Sequence, residues 1–113
     1  GGGHTNYSHK YIQYAHKLSC DKHINSAIMV DCSHGNSNKD FTKQPLVLQN
    51  VIQTMTSFPN LIGVMLESNL LSGNQKLILG EKHKLKYGIS ITDSCIDITT
   101  TENIIFSSYQ LIN

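Results

Sequence analysis

Two short apolar runs constrain this chain more than anything else in it. Ala27-Ile28-Met29-Val30 and Leu61 to Leu66 are continuous rather than alternating, the pattern of strands buried on both faces of a parallel sheet. Polar residues follow each run: Asp31-Cys32-Ser33-His34-Gly35-Asn36-Ser37 after the first, Glu67-Ser68-Asn69 after the second. Parallel neighbours need a crossover, usually a helix. Leu48, Val51, Ile52 and Met55 recur between the runs at helical spacing, which predicts a helix from about Lys43 to Ser57. Gln44-Pro45 suits its first turn, and Phe58-Pro59-Asn60 stops it.

The flanking segments extend the rhythm. Gly1 to Asn6 reads as a glycine-rich turn. A helix is expected from about Tyr7 to Lys22, with Tyr7, Tyr11, Tyr14, Ala15 and Leu18 on its inward face. His9, His16, Cys20 and His23 then face solvent. After the second run comes a long loop with Gly73-Asn74-Gln75, a lysine-rich tip (Lys82, Lys84, Lys86) and Tyr87-Gly88. Asp93 is expected to open a final helical region in which Thr101 caps the second half. Ile104, Ile105 and Leu111 would face inward. Thr99-Thr100-Thr101 are poor helix formers, so this region is expected to fray or break. Alternation of this kind means α/β units on a parallel sheet.

The formal net charge is +1, and all nine basic residues are lysines. That leaves no electrostatic footprint for nucleic acid. No apolar run reaches the roughly 20 residues of a membrane span. Cys20, Cys32 and Cys95 are odd in number and widely spaced. They are expected to be reduced thiols, which fits a cytoplasmic location.

In parallel β/α folds, functional groups collect at the carboxyl ends of the strands. His34 follows the first strand, Glu67 ends the second, and Asp93 lies on the loop returning over the same end. Neighbouring strands lie about 4.8 Å apart, close enough for these side chains to meet. One imidazole and two carboxylates suit Mn²⁺, Fe²⁺, Co²⁺ or Zn²⁺. On spacing alone a plainer reading stays open: a loop histidine, a helix-capping aspartate and a solvated glutamate. His16, Cys20 and His23 could chelate an ion on one helix face, but an outer face in water explains them equally well. Ser33 beside His34 is not expected to be a nucleophile, because adjacent residues at a strand end point apart. Cys32 and Cys95 read as small packing residues, Cys95 only two positions beyond Asp93.

The motifs add more than the spacing. Asp31-Cys32-Ser33-His34-Gly35-Asn36-Ser37, Gly63-Val64-Met65-Leu66-Glu67-Ser68, Gly73-Asn74-Gln75 and Tyr87-Gly88-Ile89-Ser90-Ile91-Thr92-Asp93-Ser94-Cys95-Ile96 occur in this order. They resemble the C-terminal third of the class I 3-deoxy-D-arabino-heptulosonate-7-phosphate (DAHP) synthases, and Gly1-Gly2 with Asn6-Tyr7-Ser8 resembles that family's stretch after the sixth barrel strand. Cys32, Gly35 and Ser94 depart from the family's usual Phe, Ala and Ala, and Gly3 from a common Lys.

The resemblance implies that residues 1–113 form a C-terminal fragment of one (β/α)8 TIM-barrel domain, two last strands with three flanking helices. It implies a full-length parent, a homo-oligomer, that condenses phosphoenolpyruvate with erythrose 4-phosphate and releases phosphate, the first step of the shikimate pathway. His34, Glu67 and Asp93 match three ligands of its divalent metal, and His34 is also the expected catalytic residue. The fourth ligand and the arginine-rich phosphate sites would lie outside the chain, which alone is expected to be inactive. The alternatives are a related phosphoenolpyruvate-using sugar-phosphate synthase and a non-enzymatic remnant or interaction module.

Overall fold

The computed structural model describes residues 3–25 and 27–112. Gly1 and Gly2 of the expected opening turn lie outside them. Three α-helices, α1 (His9–Asp21), α2 (Gln44–Met55) and α3 (Ile98–Ile112), alternate with strands β1 (Ile28–Asp31), β2 (Leu61–Met65), β3 (Ser68–Asn69) and β4 (Ile96–Asp97). β1 and β2 pair in parallel, with Val30 opposite Val64 and Asp31 opposite Met65. β3 and β4 form a second, two-residue parallel ribbon that the sequence does not announce.

The core lies between the β1/β2 sheet and α2. Val47, Leu48, Val51 and Ile52 of α2 bury against Val30, Cys32, Leu61 and Phe58, with Ile12 of α1 added at one side. Asp40 starts this crossover. Its carboxylate accepts from the Thr42 N–H and hydroxyl, and a 3₁₀ turn over Phe41–Lys43 leads into Gln44. Pro45 sits in the first turn of α2 as expected, where its missing N–H costs nothing.

Several expectations fail, most for one reason. The strands are not buried on both faces: Met29 is 63% and Ile62 62% exposed. The expected inward stripe turns inward only at Tyr7, which packs against the core ahead of α1. Ile12 is the buried residue, and the His9 ring rests on Phe58 with centroids 4.9 Å apart. His16 also lies beside Phe58 and is half-buried, whereas Tyr11, Tyr14 and Leu18 are exposed. On α3, Ile104 meets the core, but Ile105 and Leu111 are exposed. Apolar patterning reports surfaces that seek cover, and among the described residues no element covers these. The radius of gyration, 16.4 Å, exceeds the roughly 13 Å of a compact domain this long.

The last helix is neither frayed nor opened by Asp93. It runs unbroken for 15 residues. Asp97 starts it, its carboxylate accepting the Thr100 N–H at 2.7 Å. Thr101 lies in the first turn, not at a mid-helix cap, and its hydroxyl bonds back to the Asp97 carbonyl. The threonine run is tolerated because its polar groups serve the helix start rather than its interior.

Cys32 is fully buried, and burial, aided by the Asp31 charge, pushes its thiol up to about 12. Cys95 is also buried and raised by burial, whereas Cys20 is exposed. Thiolate is the reactive form. Maleimide at pH 8 is therefore expected to label Cys20 rapidly in the folded chain and all three cysteines only after denaturation. Rapid native labelling of Cys32, read by peptide mass spectrometry, would refute this packing.

Candidate metal centre

The parallel register brings the two strand ends side by side, and each then releases a loop that carries a candidate ligand. Past Asp31 the chain turns tightly. Ser33 donates both its N–H, at 2.8 Å, and its hydroxyl, at 2.5 Å, to one oxygen of Asp31. His34 takes a left-handed conformation with φ 47°, uncommon for a residue other than glycine. Its carbonyl accepts from the Lys39 N–H at 2.8 Å and the Ser37 hydroxyl at 3.2 Å. The turn swings the imidazole back over the strand end, where Nδ1 lies 2.7 Å from the second oxygen of Asp31. Ser33 and His34 do not point apart as expected, because His34 has already left the strand: Ser33 Oγ lies 3.0 Å from Nδ1. Ser33 is 1% exposed and gives its proton to Asp31, so it is not a nucleophile.

Glu67 follows β2 and is positioned by a residue the sequence reading overlooked. Gln44, fully buried at the start of α2, clamps the Glu67 peptide. Its Oε1 accepts the Glu67 N–H at 2.9 Å, and its Nε2 donates to the Glu67 carbonyl at 3.2 Å. That carbonyl also accepts from the Ile96 N–H.

Asp93 arrives on the long loop, and the Gly73-Asn74-Gln75 motif explains its placement. Gly73, at φ 86°, bridges to Cys95. The Asn74 side chain donates to the Thr92 carbonyl. Gln75 accepts from the Lys86 N–H and donates to the Lys86 and Ile89 carbonyls. Cys95 lies behind Asp93, its Sγ 3.6 Å from the Asp93 carbonyl.

The three predicted residues thus meet. Ligand atoms of His34, Glu67 and Asp93 all lie within 4.8 Å of one another. His34 Nε2 is 3.3 Å from Glu67 Oε1 and 3.7 Å from Asp93 Oδ2. A cavity of about 20 Å³ adjoins them, lined also by Ser37, Lys39, Phe41 and Ser94; it has room for one water-sized particle. His16, Cys20 and His23 do not converge in this way. His16 Nε2 lies 3.8 Å from Cys20 Sγ, and Cys20 and His23 are exposed.

The charges are unbalanced. Asp31, Glu67 and Asp93 surround a single imidazole. The hydrogen bond to Asp31 raises the His34 pKa, against its desolvation, and the charges of Glu67, Asp31 and Asp93 raise it further. Burial lifts Glu67, and repulsion from Asp93 and Asp31 adds to the lift, with His34 opposing. Burial also pushes Asp31 upward, but its bonds from Ser33 and His34 outweigh that and hold the carboxyl below its usual range. Surplus negative charge around one imidazole fits a divalent cation, and an ion coordinated by hard oxygens and an imidazole suits this donor set.

Two outcomes follow. Replacing Gln44 by Leu removes the acceptor of the Glu67 N–H and is expected to cost about 1–3 kcal/mol of stability; an unchanged urea midpoint would refute the clamp. In metal-free buffer, His34 holds its proton more tightly folded than unfolded. Its contribution is full below about 6.5 and is lost as pH rises through the raised value. The stability difference between the native chain and His34→Ala should therefore shrink from pH 6 to pH 9; a constant difference in denaturant titrations would contradict it.

Comparison with known proteins gives a consistent relationship. The model of the DAHP synthetase I family matches residues 1–105. A phospho-2-dehydro-3-deoxyheptonate aldolase of Alternaria alternata is 44% identical over 102 residues, covering 89% of this chain and 27% of that protein. The Tyr-sensitive phospho-2-dehydro-3-deoxyheptonate aldolase of Escherichia coli K12 is 38% identical, covering 100% of this chain and 32% of its own length. The solved structure of the phospho-2-dehydro-3-deoxyheptonate aldolase of Francisella tularensis SCHU S4 superposes with a TM-score of 0.88 at 34% identity, over 100% of this chain and 33% of that one. The chain spans about a third of the length of these relatives. With the family model matched over nearly its whole length, the chain belongs to the DAHP synthetase I family.

Proposed function

We propose that the chain carries part of the active site of a metal-dependent DAHP synthase, built on the last two strands of a (β/α)8 barrel. The observation that carries this reading is the convergence of His34, Glu67 and Asp93 at the carboxyl ends of two parallel strands. Family membership supports phosphoenolpyruvate and erythrose 4-phosphate as the substrates of the complete protein. A bound Mn²⁺, Fe²⁺, Co²⁺ or Zn²⁺ supplies Lewis acidity that polarises a carbonyl oxygen.

The chain's own residues hold and orient. His34 presents Nε2, Glu67 is fixed by the Gln44 clamp, and Asp93 is fixed by the Gly73-Asn74-Gln75 loop. Lys39 lines the same cavity. The chain contains no arginine, so strong bidentate phosphate binding falls to residues outside it, as does a fourth ligand. β1 and β2 pair only with each other among the described residues, and their outer edges suit the remaining barrel strands. No helix among the described residues is long and apolar enough to cross a membrane, and three free cysteines suit the reducing cytoplasm.

The test uses the complete gene product with both substrates, following phosphate release. A strong chelator should abolish turnover, and added Mn²⁺ or Co²⁺ should restore it. Losing a ligand removes several kcal/mol of transition-state stabilisation, so His34→Ala, Glu67→Ala and Asp93→Ala should each lower kcat/KM by about 100-fold or more. Near-native turnover in all three would overturn the assignment. The isolated 113-residue chain should show no turnover, and measurable synthase activity from it would contradict the division of the site.

A further inference from the structure

The metal reading uses three side chains, yet a fourth carboxylate touches the cluster. Asp31 does not approach the side of His34 that faces Glu67 and Asp93. It meets the opposite ring nitrogen, with Oδ2 2.7 Å from Nδ1, whereas Nε2 faces Glu67 at 3.3 Å. An ion held by Nε2, Glu67 and Asp93 is therefore out of reach of Asp31, and Asp31 is no ligand.

Its surroundings are those of a fixed acceptor. One oxygen is saturated by the N–H and hydroxyl of Ser33, and the other is left to His34. Ser33 spends its proton on Asp31, so the oxygen it turns toward Nδ1, 3.0 Å away, can only accept. Nδ1 thus faces two acceptors and must carry the proton. The tautomer is set, and the Nε2 lone pair is the one available to a cation. The backbone around this contact is also pinned. The Asn36 amide donates to the Asp31 carbonyl at 2.8 Å and to Asn6 Oδ1 at 2.8 Å, and Asn36 Oδ1 accepts the Asn6 N–H at 2.7 Å. The segment leading into α1 therefore braces the end of β1.

We propose that Asp31 is a positioning residue that holds His34 in the Nδ1–H tautomer and aims Nε2 at the metal, with Ser33 fixing the carboxylate. The proposal rests on the metal reading above and deepens it. Partners of this kind commonly change metal affinity by about 10–100-fold.

The test titrates the metal-free complete gene product with Co²⁺ alone, comparing native protein, Asp31→Ala, Asp31→Asn and His34→Ala. Nitrogen-15 NMR of the metal-free proteins, at a pH where His34 is neutral, reads which His34 nitrogen carries the proton, a quantity that loss of packing alone does not switch. Asp31→Ala should weaken Co²⁺ binding about 10–100-fold and abolish the hydrogen-bonded Nδ1–H signal of His34. Asp31→Asn keeps an acceptor without the charge; it should keep that signal and lose affinity toward the lower end of the range. If circular dichroism shows that Asp31→Ala fails to fold, Asp31→Asn decides. Native affinity in every folded Asp31 variant, while His34→Ala loses the ion, overturns the role of Asp31 and leaves the metal reading standing. Native affinity in His34→Ala overturns the metal reading, and the role of Asp31 falls with it.

Discussion

The parallel pairing of β1 with β2 is the constraint from which the site follows. Asp31 lies opposite Met65, so the loops carrying His34 and Glu67 leave the sheet at the same end. In an antiparallel pair they would leave at opposite ends. Parallel pairing demands a long crossover, and α2 supplies it, burying Val47, Leu48, Val51 and Ile52 in the core. The same helix contributes Gln44 from its first turn, so the element that makes the parallel sheet possible also clamps the peptide of Glu67.

The site concentrates unfavourable terms. His34 stands in a left-handed conformation, and Glu67 is pushed upward by burial and by like charge. Three carboxylates share one imidazole. Such strain persists only where surrounding structure over-determines it, and here that structure is dense. The Asp31, Ser33 and Asn36 bonds brace one loop, and the Asn74 and Gln75 bonds brace the other. Under the proposed metal reading, a divalent cation would turn the surplus charge from a cost into a binding energy.

Away from the site the balance differs. Tyr11, Tyr14, Met29, Ile62 and Phe106 stay exposed. The chain spans about a third of the length of its relatives; Tyr11, Tyr14 and Met29 line one open cavity beside β1.

Much of this was legible from the residues. Continuous apolar runs, helical spacing in the crossover and polar strand ends identify βα units, and ordered motifs single out His34, Glu67 and Asp93. Local pattern decides these because strand and helix formation depend on neighbours in the chain. It misjudged which faces are covered, since hydrophobicity reports a preference for burial and not whether a partner is present. It missed the β3/β4 ribbon, whose two-residue strands carry no periodicity. It missed Gln44 and Asp31 because their roles depend on contacts with Glu67, 23 positions away, and on a tight turn that folds His34 back over the strand end. Sequence by itself singled out the three side chains proposed to hold an ion. Only the tertiary structure decided that they converge, which nitrogen of His34 is offered and what holds each in place, because those are distances and angles between segments that local preferences do not set.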